Sequence, residues 1–366
     1  MAPIGTRLKA LREQRNLSQD EVARQFGFKD RQTVSAIETG ERKVSADELL
    51  RAGQIFGVQL DYFTDPFLLA GEGKFSWRQT GVNKSKLEDY EVDAGRLIAA
   101  FRTLGSEVGR KPPLLRHALA LNKESQFADA SAAGERFATE FNLGKVPAAR
   151  LAEVMERELG ILVLMIDPIE GVSGAACRLS ELDVVLINRR EAPGRRNFDL
   201  AHELFHILTW DAMPPEHLEE ALPARRNRVE QLADSFASAL LMPAAVLDRF
   251  GDWSALSEDK LIAKLNNAAE ELGVTSSALR WRLVGAERIE RAVAQRIPET
   301  KLRNNGRMKI QQQLLPLFSK TFVEVIARAL DEGRVAVRRI SHLLGLTIDE
   351  LSELFSAHDV AVPYEL

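Results

Sequence analysis

The chain has 366 residues, 45% hydrophobic and 28% charged, proportions of a folded protein with room for two or three domains. A net charge of −4 excludes a global pull toward nucleic acid, so any surface that attracts it has to be local. A single cysteine excludes an internal disulfide. No apolar run approaches the ~18 residues of a membrane span and the N-terminus carries no apolar leader, so the expected location is the cytoplasm, with no membrane partner.

Residues 1–66 read as one helical unit. Ile4, Leu8 and Leu11 describe a first helix that ends near Asn16. Ser18 can cap a second, Gln19–Phe26, with Glu21 at the capping-box position and Gly27 as its stop. A short third helix spans Asp30–Glu38, a fourth about Ala46–Phe56, and a turn follows at Leu60–Phe63. Leu17-Ser-Gln19, Val22-Ala23, Val34-Ser35, Ile37-Glu38, Gly40 and Leu60-Asp-Tyr-Phe63 resemble the lambda-repressor-like (Xre) helix-turn-helix family. The resemblance implies binding of double-stranded DNA with the third helix in the major groove. Arg31, Gln32, Thr33 and Ser35 would then face base edges, and Gln19 and Lys43 would approach phosphates. The unit holds ten Lys/Arg and ten Asp/Glu, so it is formally neutral. Phosphate neutralisation supplies most non-specific affinity, so such a unit is expected to bind weakly as a monomer or to depend on forming a homodimer.

Residues 67–86 (Gly71, Gly73, Lys74, Gly81, Lys84, Lys86) read as a linker, with Phe75 and Trp77 docking on the next domain. Helical patterns cover Leu87–Leu104, Leu114–Leu121 and Ser131–Phe141, interrupted at Pro112-Pro113. Ala148–Leu159 is a further helix, ending at Gly160. Ile161–Ile166, Val172–Arg178 and Asp183–Ile187 read as strands, so this region is α+β, a small sheet against helices. Gly174–Arg178 is the candidate edge, whose small residues leave room for an extended peptide added to the sheet.

The strongest chemical signal is His202-Glu-Leu-Phe-His206, inside the helix-periodic stretch Phe198–Trp210. Two histidines four apart leave a helix from one face, one turn apart, the separation two imidazoles need to bind one zinc ion. Glu203 follows the first ligand and can take a proton from water at the metal's open position. A third ligand is needed. Glu230 and Asp234 share a face of the next helix, from Arg228 into Ser238-Ala-Leu-Leu-Met-Pro243. Glu230 is read as the ligand and Asp234 as the acceptor of a zinc histidine's spare N–H. Glu219 and Glu220, in a loop-like stretch, are the rivals.

Gly194-Arg-Arg-Asn-Phe-Asp-Leu-Ala-His-Glu-Leu-Phe-His206 and Glu230-x-x-Ala-Asp-x-Phe-Ala-Ser-Ala-Leu-Leu-Met-Pro243 resemble the ImmA/IrrE metallopeptidases, a small gluzincin-like family. That family commonly carries Asn at the position of Asp234. The resemblance covers roughly 140–285 and implies one zinc per chain held by His202, His206 and Glu230, with Glu203 as general base. Relatives cut transcriptional repressors in DNA-damage, phage or mobile-element responses. The expected fold is mostly α with a small β-sheet. It comprises an all-α helix-turn-helix domain (1–66), a linker (67–86), an α+β minimal-gluzincin peptidase domain (87–300, core 140–285) and a C-terminal helical domain (301–366).

Cys177 lies on the candidate edge strand, where it is either a small apolar residue of the strand, the commoner role, or a candidate inhibitory zinc ligand. Arg280, Arg282 and His217 are weaker candidates for holding the substrate carbonyl. Arg189-Arg190 and Arg225-Arg226 are candidate contacts for single-stranded DNA as an activator. Near the C-terminus, Val335–Gly345 and Thr347–Phe355 resemble a degenerate helix-turn-helix whose second helix is acidic, suited to packing or dimerisation rather than DNA reading. The leading expectation is a zinc endopeptidase that cleaves a partner repressor and carries its own DNA-binding domain. The alternative is a non-cleaving DNA-binding regulator or antitoxin-like module.

Overall fold

A computed structural model describes residues 4–110, 116–220, 227–254, 256–303 and 314–364, without the side chains of 219 and 220. In chain order the helices and strands begin with α1 (Ile4–Gln14), α2 (Gln19–Phe26), α3 (Arg31–Glu38), α4 (Ala46–Phe56), α5 (Asp61–Thr64), β1 (Lys74–Gln79) and α6 (Lys84–Glu107). Then come α7 (Phe127–Glu140), α8 (Pro147–Arg157), β2 (Leu162–Ile166), β3 (Val172–Arg178), β4 (Asp183–Asn188), α9 (Pro193–Thr209), β5 (Leu218–Glu220) and α10 (Arg228–Leu241). The rest is helical: α11 (Ala244–Asp248), α12 (Glu258–Leu272), α13 (Ser276–Gly285), α14 (Arg291–Arg296), α15 (Lys320–Asp331), α16 (Val337–Leu344) and α17 (Ile348–Ala357). The protein is thus mostly α with one small sheet. Among the described residues no helix is long and apolar enough to cross a membrane.

The chain forms two compact units. One comprises Met1–Lys74, Lys84–Lys111 and Val323–Leu366; the other comprises Phe75–Asn83 and Pro112–Phe322.

In the first unit the caps fix the helix boundaries. Ser18 Oγ accepts from Glu21 N–H at 3.2 Å while the Glu21 carboxylate accepts from Ser18 N–H at 2.7 Å, and Gly27 closes α2 at φ 72°. Asp30 caps α3 through Thr33 N–H at 3.2 Å. Leu8, Leu11, Val22, Val34, Ile37, Phe56 and Phe63 form the buried core. Gly5 lets α1 approach α3: a Cβ there would lie 1.8 Å from the Ile37 carbonyl oxygen. Beyond α5 the chain is anchored rather than loose. Arg7 is buried and donates to the carbonyls of Tyr62 (2.9 Å) and Leu68 (2.6 Å), and Glu72 bridges Arg7 at 3.4 Å and Arg102 of α6 at 2.6 Å.

In the second unit the sheet order is β2-β4-β3-β1-β5. β2 and β4 run parallel (Leu162↔Val184), β3 is antiparallel to β4 (Ala175↔Leu186), and β1 is parallel to β5 (Trp77↔Leu218). Helix α9 packs on β3, β4 and α10, and α10 packs on α7. Gly134 permits that last approach, since a Cβ there would stand 2.4 Å from the Phe236 carbonyl oxygen. From Asp199 to Thr209 every residue of α9 is buried, so this helix is the centre of the unit and its polar residues face protein rather than water.

Three expectations differ from the structure. The 67–86 linker contains β1, whose backbone pairs inside the sheet, so Gly174–Arg178 on β3 is not a sheet edge: β1 covers it. Leu114–Leu121 forms no helix over its described residues 116–121; there Leu119 N–H donates to Leu208 O at 2.9 Å. The boundaries at 87 and 301 also shift. Residues 84–111 join the first unit, and the second extends to 322, held by Phe318 N–H on Met165 O (2.7 Å) and Thr321 Oγ1 on Glu156 (2.7 Å).

Candidate metal centre and helix-turn-helix surface

Helices α9 and α10 bring His202, His206 and Glu230 together, all buried. Helix α9 begins with Pro193 in its first turn, where the missing N–H costs no bond. Asn227 caps α10 by accepting from Val229 N–H (2.9 Å) and Glu230 N–H (3.1 Å), which fixes the turn that carries Glu230. His202 Nε2 lies 3.2 Å from His206 Nε2 and 3.2 Å from Glu230 Oε2, and His206 Nε2 lies 3.3 Å from Glu230 Oε1. A tetrahedral ion with bonds of about 2.0 Å spaces its ligand atoms about 3.3 Å apart, so this donor set fits a zinc-sized ion.

Asp234 Oδ1 stands 3.0 Å from His202 Nδ1. A carboxylate there holds the proton on Nδ1 and turns the Nε2 lone pair toward the other donors. Glu203 is wholly buried beside them, and neither of its oxygens has a hydrogen-bond partner among the described residues. Burial raises its carboxyl above the ordinary carboxylate range, opposed by His206, His202 and Arg78. An unpartnered carboxyl is costly inside a protein, and a water molecule at the site would relieve that cost. Gly174 on β3 leaves the space next to it: a Cβ there would lie 3.6 Å from Glu203 Cγ.

Sequence reasoning missed Arg78 of β1. Its guanidinium donates to His202 Nε2 at 2.8 Å, pairs with Asp199 at 3.1 Å and stands 3.7 Å from Glu230. Arginine only donates, so toward Arg78 the His202 Nε2 atom is the acceptor.

Other candidates lie elsewhere. Gly174 on β3 faces Glu203, and two residues per repeat put Ala176 and Arg178 on that same side, where Arg178 donates to Ile207 O of α9 at 2.8 Å. Cys177 therefore projects from the opposite face and is not among the clustered donors. Arg280 is buried on Ile297 O (2.9 Å) and pairs with Glu299, while Arg282 is buried on Met242 O (2.9 Å) and pairs with Glu135. Both tie helices together. His217 is exposed, and its carbonyl accepts from Trp77 N–H at 2.9 Å. Arg189 and Arg190 both pair with Asp167 at 2.8 Å, so they are not a bare basic patch. Arg225-Arg226 and the side chains of Glu219 and Glu220 lie outside the described residues.

On the helix-turn-helix unit, Val34, Ile37 and Glu38 form the buried face of α3, while Arg31 and Gln32 are exposed and Thr33 and Ser35 half-buried. Lys43 is exposed. Gln19 is engaged by Glu38 (2.9 Å), which also takes Arg12 at 2.6 Å, and Arg42 pairs with Glu48 at 2.7 Å.

Residues 8–63 match the helix-turn-helix family, and residues 156–284 match the M78 peptidase family described as the IrrE N-terminal-like domain. No curated protein and no solved structure matches the chain. The matched peptidase segment contains His202, Glu203, His206, Glu230 and Asp234; Arg78 lies outside it. The chain thus joins a segment similar to the helix-turn-helix family to one similar to the IrrE N-terminal-like peptidase domain.

Proposed function

We propose that this protein is a zinc-dependent endopeptidase of the cytoplasm that cleaves a partner transcriptional repressor and binds double-stranded DNA through residues 1–66. The observation that carries the reading is the convergence of two imidazole nitrogens and the Glu230 carboxylate, with contacts of 3.2–3.3 Å, beside a buried carboxyl, Glu203, that has no hydrogen-bond partner among the described residues. Three lone pairs turned on one point call for a cation, and Glu203 then has a water molecule to work on. His202, His206 and Glu230 would hold one zinc ion, whose chemistry is Lewis-acid polarisation of the peptide carbonyl and activation of water.

Within that frame the roles of the side chains follow from where they stand. Glu203 takes the proton of the attacking water and later hands it to the leaving amine nitrogen. Its raised pKa makes it a stronger base for the first of these transfers. Asp234 holds His202 in one tautomer. Gly174 keeps the space beside Glu203 clear of side chain. A repressor is the natural substrate class for a peptidase fused to a DNA-binding domain, because DNA binding brings enzyme and substrate to one place. Cleavage would relieve repression in a stress, DNA-damage or mobile-element response.

A second reading, a regulator that senses a partner without cutting, is favoured by Arg78, which holds the His202 lone pair the metal needs. Zinc content by elemental analysis, paired with cleavage of a co-encoded repressor by wild type and Glu203→Gln, separates the two. The peptidase reading expects one zinc in both proteins and cleavage by wild type alone. Zinc in neither protein would falsify it and leave the regulator.

A further inference from the structure

Among the described residues, Arg78 is a cation brought to His202 by a segment outside the two ligand-bearing helices, and it comes from a strand of the sheet. It is 4% exposed at the side chain, and Asp199, itself 3% exposed, anchors its Nε one turn before His202 on α9. From that seat one terminal nitrogen reaches 2.8 Å from His202 Nε2 and 3.7 Å from Glu230 Oε2. The Nε2 atom has a single lone pair once Asp234 holds the proton on Nδ1. An N–H from Arg78 and a metal ion require that same pair, and only one of them can hold it at a time.

The position of the strand adds to this. β1 lies against β3, between it and β5, along the side of the sheet that an added peptide strand would use to pass Glu203. The segment therefore supplies both a backbone in the place of a bound peptide and a cation in the place of the metal. A guanidinium is suited to the second task, since it is permanently charged and weakly hydrated, and its planar fork can serve Asp199 and His202 together.

We propose that β1 is an internal occupant of the site, and that Arg78 competes with the metal for His202 and Glu230 and so sets the metal affinity. The inference rests on the reading of His202, His206 and Glu230 as metal ligands. When metal binds, the Nε–Asp199 pair is retained and the terminal nitrogen leaves His202 Nε2. Removing the guanidinium also leaves the surrounding carboxylates of Asp199, Glu203, Glu230 and Asp234 with one positive charge fewer, which favours an incoming cation further.

Cobalt(II) titration of the full chain, followed by its visible d–d absorption, tests this without reference to activity. Arg78→Met is expected to bind cobalt at least tenfold more tightly than wild type. Arg78→Lys, which keeps the charge and loses the fork, should fall between them. Equal affinity in wild type and Arg78→Met overturns the competition. Absence of binding in both, or binding that survives His202→Ala, overturns the ligand reading itself, and the inference falls with it. Should Arg78→Met fail to fold because Asp199 is left buried and unpaired, the double variant Arg78→Met/Asp199→Asn removes both charges and is expected to show the same tightening.

Discussion

Asp234 of α10 reaches across to α9 and places Oδ1 3.0 Å from His202 Nδ1. Asp234 is a quarter exposed at the side chain while His202 is fully buried, so the carboxylate keeps part of its hydration and the imidazole keeps its proton on one chosen nitrogen. Replacement by Ala leaves the ring free to choose the other tautomer or to turn, and outer partners of this kind typically carry about 10–100-fold in metal affinity. Asp234→Ala is therefore expected to weaken zinc by that factor in a competition against a chromophoric chelator. Asp234→Asn should retain most of the affinity, because the amide oxygen accepts the same N–H. Equal affinities for Ala, Asn and wild type would show that the 3.0 Å contact orients nothing.

The candidate metal centre is legible in the sequence because its residues obey helix arithmetic. His202 and His206 are four apart, as are Glu230 and Asp234, and each pair lies in an amphipathic run, so helix identity and shared face follow from spacing alone. The cap made α2 of the helix-turn-helix legible in the same way, through Ser18 with Glu21. Arg78 was not legible, because it lies 124 residues from His202 and no local period records that separation. Its strand, Lys-Phe-Ser-Trp-Arg-Gln, is also buried on both faces after Lys74, so the alternation that marks a half-exposed strand is missing. Which face of β3 carries Cys177 was not legible either, for a different reason. Nearness in sequence to a site-facing strand says nothing about parity, and an offset of three from Gly174 put it on the far side.

Glu191 gives the site's flank a pH response. Burial lifts its carboxyl to about 7, and the neighbouring Asp199 carboxylate adds to the effect. The Arg195 guanidinium at 2.6 Å pulls the other way, but it is half exposed and its charge is screened by water. Between pH of about 4.5 and 7 the unfolded chain has lost this proton while the folded chain keeps it, so the folded state binds more protons. The contribution is thus fully present below about pH 4.5, declines as pH rises toward 7, and is gone above that. Denaturant titrations of wild type and Glu191→Gln at intervals across this window should diverge by about 2–3 kcal/mol, with the Gln variant gaining relative stability at the alkaline end. Parallel curves would mean that Arg195 keeps Glu191 ionised throughout.

The helix-turn-helix unit has few cations to spend on DNA. Its ten basic residues are matched by ten acidic ones, and several of its arginines are already engaged within the unit, among them Arg7 on the Tyr62 and Leu68 carbonyls, Arg12 on Glu38 and Arg42 on Glu48. Arg31 and Gln32 remain exposed at the start of α3, and Lys43 is exposed beyond its end. Residues at the start of a recognition helix read base edges, whereas a lysine outside it meets only phosphate. The two cations should therefore fail differently when removed. With duplexes selected from a random pool by the full chain, Arg31→Ala is expected to cost about 1–3 kcal/mol and to relax preference at one position. Lys43→Ala should weaken all duplexes alike and reduce the slope of log affinity against log salt by about 1. The slope of wild type should itself be shallow, since few phosphates can be neutralised by a unit with no net charge. A steep slope that Arg31→Ala and Lys43→Ala both leave untouched would place the DNA contact on a different face from α3.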